Sequence, residues 1–422
     1  MKKILCILIS LVLLILCGCS TGYSDDYSSV IEVIYDEQEE TIMGESNNAD
    51  NSSNQSVNNI QSSDIDSDVD EPSIESTTNN NAETEENILN LNDENVLKNI
   101  KLNGRCQKTT EGIGLNFSAS AIEFNIDGGG AVIKIVAGLN VYFSIFVDDK
   151  LTEERKLIEC GTNYVILARG LSQGSHNIRF VRECESRPSA TATVVNVQLD
   201  DGKKLLPLYN EDVPLIECLG DSITSGYGNL IDKNAPNASD LKNQNSLRAY
   251  PYLLANELGL DYRIVSMSGI ALGLRDGYPT FYDFYSAENY HKDPTQKYNS
   301  SNPQDVDIVM VNLGTNDASA GLLNDKDPSS VEEYAQRYTD LITGIGYRKD
   351  VKIVFVSGVM WCHSQTEAYK NAKTKLSALG YNNVYIHDVK TYNSGGGGHP
   401  SISEHELVAQ ELVKFFKDNS IA

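Results

Sequence analysis

Hydrophobic and polar residues alternate with a period of two between residues 98 and 205. Gly, Asn and Asp interrupt the alternation about every dozen residues. The alternating runs lie at residues 122–126, 131–137, 141–149, 164–169, 176–183 and 192–200. Because successive side chains of a strand face opposite sides of a sheet, this pattern predicts antiparallel strands with one buried face. We therefore expect an all-β sandwich domain of the jelly-roll type over residues 98–205.

From residue 206 to residue 422 the pattern changes to apolar strands followed by helices. Continuously apolar runs lie at residues 214–220, 262–269, 306–314, 352–358 and 384–389. Helical periodicity lies near residues 250–258, 331–345, 365–379 and 404–417. Strands buried on both faces that alternate with amphipathic helices predict a parallel, doubly wound α/β sheet. Ligands of such a sheet bind beyond the carboxyl ends of its strands.

The first 19 residues differ from both predicted domains. Two lysines precede an apolar run that ends in the sequence LCGC, with Cys19 as its last residue. This pattern is typical of a secretory signal peptide, and its end resembles the bacterial lipobox, in which the final cysteine is lipidated. We therefore expect residues 1–19 to be a lipoprotein signal peptide, with an uncleaved anchor helix as the alternative. Either interpretation places the protein on the extracytoplasmic face of the bacterial cell membrane.

Acidic charge is concentrated in the segment that follows. Residues 20–95 contain 20 Asp and Glu and no Lys or Arg, and so account for most of the net charge of −25. Ser and Asn are abundant there, and such a composition buries too little apolar surface to offset chain entropy. We expect residues 20–97 to be a disordered linker, with a binding tail for a basic partner as the alternative. The overall acidity argues against nucleic acid as a partner.

The remaining cysteines give little information. Beyond the N-terminal segment their number is odd and no two have CxxC spacing, which argues against a zinc site. Cys160 and Cys184 are the candidates for a disulfide within the β domain.

Candidate catalytic residues follow the predicted strands of the α/β domain. Ser222 lies in the sequence GDSIT directly after the first strand, where a serine on a tight turn can expose its hydroxyl as a nucleophile. Gly269 ends the second strand, and Asn316 lies in GTND after the third, so that a backbone N–H and an amide are available to an oxyanion. His399 follows four glycines at the entrance of a helix, a suitable place for a general base. Each feature alone also fits a structural role, as a helix cap, a turn or a buried histidine.

In this order, the blocks GDSIT, Gly269, GTND and HP resemble the SGNH (GDSL-type) hydrolase superfamily. With the preceding β domain and the GGGGHPS sequence, residues 98–422 resemble carbohydrate esterase family 2, whose members join a jelly roll to an SGNH domain and deacetylate plant polysaccharides. The resemblance implies a flavodoxin-like three-layer α/β/α fold for residues 206–422. It also implies that Ser222 is the nucleophile and His399 the base. The N–H groups of Ser222 and Gly269 and the side chain of Asn316 would form the oxyanion hole.

The sequence departs from the superfamily pattern at one position. An Asp usually stands three residues before the histidine, and here that residue is Gly396. Members of the resembled family often orient the histidine through a backbone carbonyl, so we expect a Ser–His dyad, with Asp388 as the alternative acid. Asp221 and Asp317 match the motifs, and we expect them to tie loops together by hydrogen bonds. A degraded, inactive site is a further alternative.

Aromatic residues lie near the same edge of the predicted sheet. Trp361, the only tryptophan, follows the fourth strand, where its ring could stack on a sugar, and core packing is the alternative. Phe and Tyr residues after Gly269, at positions 278–285, either line the site or pack a long loop.

The expected function is that of an extracellular serine esterase that removes O-acetyl groups from polysaccharide. Hemicellulose such as xylan or glucomannan is the expected substrate, and the lipid anchor makes the membrane a second partner. No metal or organic cofactor is required, because the histidine activates the serine. The alternatives are another SGNH enzyme, such as a lipase, a thioesterase or a peptidoglycan O-acetyl esterase, and a non-catalytic carbohydrate-binding lipoprotein.

Overall fold

The computed structural model describes residues 87–208, 212–291, 293–298 and 302–422. The predicted signal peptide, Cys19 and most of the predicted linker lie outside these residues. The described chain contains an N-terminal β domain and a C-terminal α/β domain. No helix in these ranges is long and apolar enough to cross a membrane.

The strands of the β domain pair antiparallel in one sheet. They are β1 (Asn87–Asn90), β2 (Ile100–Asn103), β3 (Gln107–Thr109), β4 (Gly112–Gly114), β5 (Ala121–Ala137), β6 (Val141–Val147), β7 (Lys150–Ile158), β8 (Gly161–Arg182), β9 (Ala192–Leu199) and β10 (Leu205–Leu206), with the short helix α1 (Glu94–Leu97). Two pairs of predicted runs are fused into the long strands β5 and β8. The β5–β8 register shifts between Asp127 and Val132, where three glycines interrupt the apolar pattern without ending the strand.

The β domain begins before residue 98, so the predicted linker extends too far at its C-terminal end. Strand β1 pairs with β9, and Leu91 directly after it is fully buried. The acidic composition of the whole segment obscured the short apolar run that forms this strand. Strand β7 was also missed, because it is mostly polar and pairs only with β6 at the edge of the sheet.

The cysteines considered for a disulfide are free thiols. Cys160 is exposed and its Sγ donates to the carbonyl of Gly138, whereas Cys184 is buried and its Sγ accepts from the N–H of Tyr142. The suggested Cys160–Cys184 disulfide is therefore not formed.

The α/β domain confirms the predicted parallel sheet. Its sheet strands are β11 (Leu215–Gly220), β12 (Asp261–Ser266), β15 (Ile308–Asn312), β16 (Lys352–Gly358) and β17 (Val384–Val389), and a separate hairpin consists of β13 (Ala287–Asn289) and β14 (Asp293–Lys297). The helices are α2 (Ser222–Ser225), α3 (Tyr250–Leu258), α4 (Phe281–Ser286), α5 (Thr315–Ser319), α6 (Pro328–Ile345), α7 (Gln365–Ala378) and α8 (Ile402–Asp418). The sheet order is β12-β11-β15-β16-β17, with every pairing parallel.

Apolar side chains bury both faces of this sheet. Tyr338 of α6 and Ala372 of α7 lie in one buried cluster, and Leu254 of α3 and Val408 of α8 lie in the other. Helices therefore cover the strands on both sides and leave the carboxyl edge of the sheet free to carry loops.

A buried ion pair lies between the first two strands of the sheet. Glu217 on β11 is fully buried, and its Oε1 accepts from Nη1 of Arg263 on β12 at 2.9 Å. The hydroxyls of Tyr285 and Tyr347 donate to its other oxygen. The carboxylate therefore has a donor at each oxygen inside the core.

Replacing Arg263 with Met should leave that buried carboxylate without its cation. We expect the free energy of unfolding to fall by about 3 kcal/mol or more in urea titrations followed by circular dichroism. The matched control is Arg337→Met, which removes an exposed pair with Glu333 and should cost less than about 0.5 kcal/mol. Equal stabilities of the two variants would contradict this assignment.

Candidate active site

Ser222 is placed by a tight turn between β11 and α2. A Cβ added to Gly220 would lie only 1.9 Å from Oγ1 of Thr224, so the turn accommodates no side chain there. The Asp221 carboxylate accepts from the N–H of Ile223 at 3.0 Å and caps the short helix. The nucleophile candidate therefore lies at the first position of a helix, directly beyond a strand end.

His399 and Ser222 are in direct contact. The distance between Nε2 of His399 and Oγ of Ser222 is 2.7 Å, although the residues are 177 positions apart. The glycine run before His399 is fastened to the segment after α2, because the N–H of Gly396 donates to the carbonyl of Gly228 at 2.9 Å. The ring of Tyr227 lies 4.5 Å from the imidazole, centroid to centroid. A serine and a base in this geometry form an activated nucleophile.

No side chain orients the second nitrogen of His399 in the described chain. Its Nδ1 is buried and faces only the backbone of the glycine run. The alternative acid, Asp388, is engaged elsewhere: it lies 2.7 Å from Nδ1 of His363 and accepts from the Ser357 hydroxyl at 2.6 Å. Asp388 is therefore not the partner of His399, and a carbonyl of the glycine run remains the predicted orienting group.

Burial lowers the pKa of His399 below its ordinary value. The nearby Glu185 carboxylate and the backbone of Gly396 and Gly397 oppose that effect and raise the pKa. Burial is the larger influence, so His399 is neutral at pH 7 and can accept a proton from Ser222.

Two backbone donors are free to face a developing oxyanion. Within the described residues, the N–H groups of Ser222 and Gly269 donate to no protein acceptor, and both residues line the same cavity. Asn316 also lines this cavity, but its Nδ2 donates to the carbonyl of Ile270 at 2.9 Å and lies 3.3 Å from Oδ2 of Asp221. Its role as a third donor stays a prediction.

Asp317 ties neighbouring loops together. Its carboxylate accepts from the N–H groups of Leu272 and Gly273 and from the hydroxyl of Tyr334. Burial, followed by the charge of Asp317, raises the pKa of Asp221 to about 7. Both aspartates therefore have the structural hydrogen bonds that their motifs suggest.

Ser222 and His399 line an open cavity of about 820 Å³, to which both domains contribute residues. Trp361 is 54% exposed and faces this space, which rules out core packing for its ring. Tyr278 also lines the cavity, whereas Phe281 and Phe284 are fully buried in the core. The aromatic segment after Gly269 is therefore divided between the site and the core.

Charged residues that the sequence analysis missed also line the cavity. They are Glu185 and Arg187, from the loop after β8, and Arg275, from the loop after β12. Arg275 Nη1 donates to the carbonyl of Gly269 at 2.8 Å. Residues 183–187 have the charged sequence ECESR and end a run of alternating polar and apolar residues. This segment is the only signal in the sequence that charged side chains line the site. Across the described ranges, no group of three or more His, Cys, Asp or Glu side chains is arranged to hold a metal ion.

The two domains match separate protein families. Residues 102–208 match the family described as carbohydrate esterase 2 N-terminal, and residues 218–399 match the GDSL-like lipase/acylhydrolase family.

Two proteins of known function are similar to the chain. It is 26% identical over 318 residues to the cellulase/esterase CelE of Acetivibrio thermocellus, a match that covers 72% of this chain and 37% of CelE. The chain thus spans little more than a third of the length of CelE. It is 28% identical over 316 residues to the acetylxylan esterase / glucomannan deacetylase of Cellvibrio japonicus, covering 71% of this chain and 85% of that protein.

Solved structures share the fold. A family two carbohydrate esterase from Clostridium thermocellum, in complex with cellohexaose, has a TM-score of 0.65 at 24% identity, covering 76% of this chain and 98% of that one. A family two carbohydrate esterase from Cellvibrio japonicus has a TM-score of 0.66 at 18% identity, covering 79% and 97%. At these identities the likeness concerns the fold.

The lowered pKa of His399 predicts how the reactivity of Ser222 depends on pH. Protonation of the base abolishes proton acceptance, so the labelling rate of Ser222 by a fluorophosphonate should fall with decreasing pH. We expect the half-maximal rate below pH 6.5, the ordinary pKa of histidine. Mass spectrometry of the labelled protein measures the rate. Asp388→Asn, the matched control, should keep the wild-type profile, and a collapse of labelling in that folded variant would assign Asp388 to the site.

Proposed function

We propose that the chain, in which a GDSL-like hydrolase domain follows a domain of the carbohydrate esterase 2 N-terminal family, is a serine esterase that removes O-acetyl groups from polysaccharide. The 2.7 Å contact between Ser222 and His399, open to a cavity, is the observation that carries the proposal.

Ser222 begins the reaction as the nucleophile. Its oxygen attacks the acetyl carbonyl carbon while its proton passes to Nε2 of His399. The carbonyl oxygen becomes an oxyanion that faces the N–H groups of Ser222 and Gly269. Each such donor typically stabilises the transition state by about 3 kcal/mol.

The same histidine completes both halves of the cycle. The bond between the acetyl carbon and the sugar oxygen breaks, and that oxygen takes the proton from His399. The product is a sugar hydroxyl and an acetylated Ser222. Water then attacks the acetyl carbon and gives its proton to His399, and release of acetate restores the Ser222 hydroxyl.

Three features favour a carbohydrate substrate. The cavity is open to solvent, and the exposed ring of Trp361 lies on its wall. One similar protein is named as an acetylxylan esterase / glucomannan deacetylase. One structural neighbour holds cellohexaose. Acetylated xylan and glucomannan are therefore the substrates that we propose.

The finer fold assignment belongs to the same proposal. The strand order and the helices on both faces support a flavodoxin-like three-layer SGNH domain. The long paired strands β5 and β8 support a jelly roll for the β domain.

We also propose that the protein acts outside the cell. Lipidation of Cys19 would hold it at the extracytoplasmic face of the membrane, and the acidic segment after Cys19 would act as a tether.

Acetate release from acetylated xylan and glucomannan tests the function. The full-length protein should release acetate, and Ser222→Ala and His399→Ala should each lower the rate at least about a thousandfold, because either change removes the activated nucleophile. A series of nitrophenyl esters separates the alternatives, since activity that is lost by octanoyl chain length excludes a lipase. Polysaccharide binding without hydrolysis would instead favour a carbohydrate-binding lipoprotein.

Trp361→Ala should separate polysaccharide binding from ester chemistry. We expect KM for acetylated polysaccharide to rise by up to about tenfold, since contacts with an aromatic face contribute about 0.5–1.5 kcal/mol. Hydrolysis of 4-nitrophenyl acetate should change less than about twofold, because this small ester has no sugar ring to stack on the indole. Equal losses on both substrates would place Trp361 in the chemical step.

A further inference from the structure

The β domain contributes one fully buried carboxylate to the edge of the active-site cavity. Glu185 lies three residues beyond the end of β8, and its side chain is fully buried although it lines the cavity together with Ser222 and His399. The esterase mechanism described above does not use it. A buried carboxylate is costly unless hydrogen bonds satisfy its oxygens, so its partners indicate its role.

Four donors from three parts of the chain surround this carboxylate. Oε1 accepts from Nε of Arg187 at 2.7 Å and from Nε2 of Gln244 at 3.1 Å. Oε2 accepts from both the N–H and the hydroxyl of Ser268, at 2.8 Å and 2.5 Å. The carboxylate therefore connects the β domain to the residue directly before Gly269.

These bonds fix the peptide that carries a candidate oxyanion donor. The N–H of Gly269 belongs to the peptide between Ser268 and Gly269, so its direction depends on the conformation of Ser268. Glu185 holds Ser268 from one side, and Arg275 donates to the carbonyl of Gly269 from the other. A Cβ on Gly269 would lie 2.5 Å from the Tyr278 ring, so this ring packs directly against the backbone of Gly269.

The same carboxylate acts on the dyad through space. Its negative charge favours the imidazolium form of His399, which no carboxylate contacts directly. The other titratable groups near His399 are Tyr227, whose ring it contacts, and the buried His405, whose pKa is lowered to about 3 by burial and then by His399. Arg187 partly offsets the negative charge of Glu185, since it forms an ion pair with Oε1, the oxygen that does not bind Ser268.

We propose that Glu185 is a positioning residue of the esterase, through which the β domain holds Ser268 and so fixes the Ser268–Gly269 peptide for the oxyanion. This inference rests on the proposed function. The β domain would then be part of the catalytic unit as well as a neighbour of it.

Glu185→Gln tests the proposal, since it keeps the shape of the side chain. The amide has an NH₂ group in place of one carboxylate oxygen, and this group cannot accept a hydrogen bond. Either the Ser268 contacts or the Arg187 contact must therefore break. We expect kcat on 4-nitrophenyl acetate to fall about tenfold or more with KM changed less than about twofold, because small displacements of a reacting geometry are costly. The acid limb of the pH profile should also move to lower pH, since a charge that raises the pKa of His399 is lost.

The matched control is Glu183→Gln. Glu183 is equally buried two residues earlier and binds Arg155 and Ser144 inside the β domain, so this variant should keep the wild-type kcat and pH profile even where it loses thermal stability. If Glu185→Gln does not fold, Ser268→Ala decides instead. It removes only the 2.5 Å hydrogen bond, and it should lower kcat several-fold without moving the acid limb.

Fluorophosphonate labelling of Ser222, measured on the same proteins, keeps the two proposals apart. If the wild type is labelled but hydrolyses no acetyl ester, the proposed function fails, and slower labelling of Glu185→Gln still supports the role of Glu185. Wild-type kcat, labelling rate and acid limb in Glu185→Gln would overturn the inference. An effect on KM alone would also overturn it, since it would assign Glu185 to substrate binding.

Discussion

The strands of a parallel sheet have their carboxyl ends at one edge, and the placement of every candidate site residue of this chain depends on that constraint. Ser222 follows β11, Gly269 follows β12, Asn316 follows β15 and Trp361 follows β16, so residues far apart in sequence line one cavity. His399 comes after the last strand, and its glycine run packs against the segment that follows α2. The parallel strand order thus determines that these residues lie at one edge of the sheet, whichever side chains they carry.

The proposed Ser222–His399 dyad differs from a triad in how it would stabilise its imidazolium. In a Ser–His–Asp triad, a buried carboxylate bonded to Nδ1 stabilises the imidazolium that forms during the reaction. Here Nδ1 of His399 has no such bond within the described residues, and Asp388 pairs with His363. Burial keeps the imidazole neutral and ready to accept a proton. In the proposed mechanism the imidazolium would be stabilised by the backbone of the glycine run and by the charge of Glu185 at longer range.

Local patterns were sufficient to predict the parts of this molecule that depend on local order. The five sheet strands and the four longer helices of the α/β domain follow from apolar periodicity, and short motifs at strand and helix ends make Ser222 and His399 the candidate site residues. Strand β1 was missed because a short apolar run stands in an acidic segment. Glu185 was missed for a different reason: its partners Gln244 and Ser268 lie 59 and 83 residues away, and no local pattern records such contacts.

Contacts between the domains make their separation costly. Besides Glu185, the buried Arg105 of the β domain donates to the carbonyls of Tyr285 and Ala287 in the α/β domain, and its guanidinium lies 3.9 Å from the centre of the Tyr298 ring. Separation of the domains would break the hydrogen bonds of Arg105 and Glu185 to the α/β domain, and both groups are buried in the folded protein. A hydrogen bond to a charged group typically contributes about 1.5–3 kcal/mol, a sizeable part of the stability of an ordinary domain. These contacts therefore favour the docked arrangement of the β domain and the α/β domain, in which residues of both line one cavity and the positions of reacting groups can be held closely.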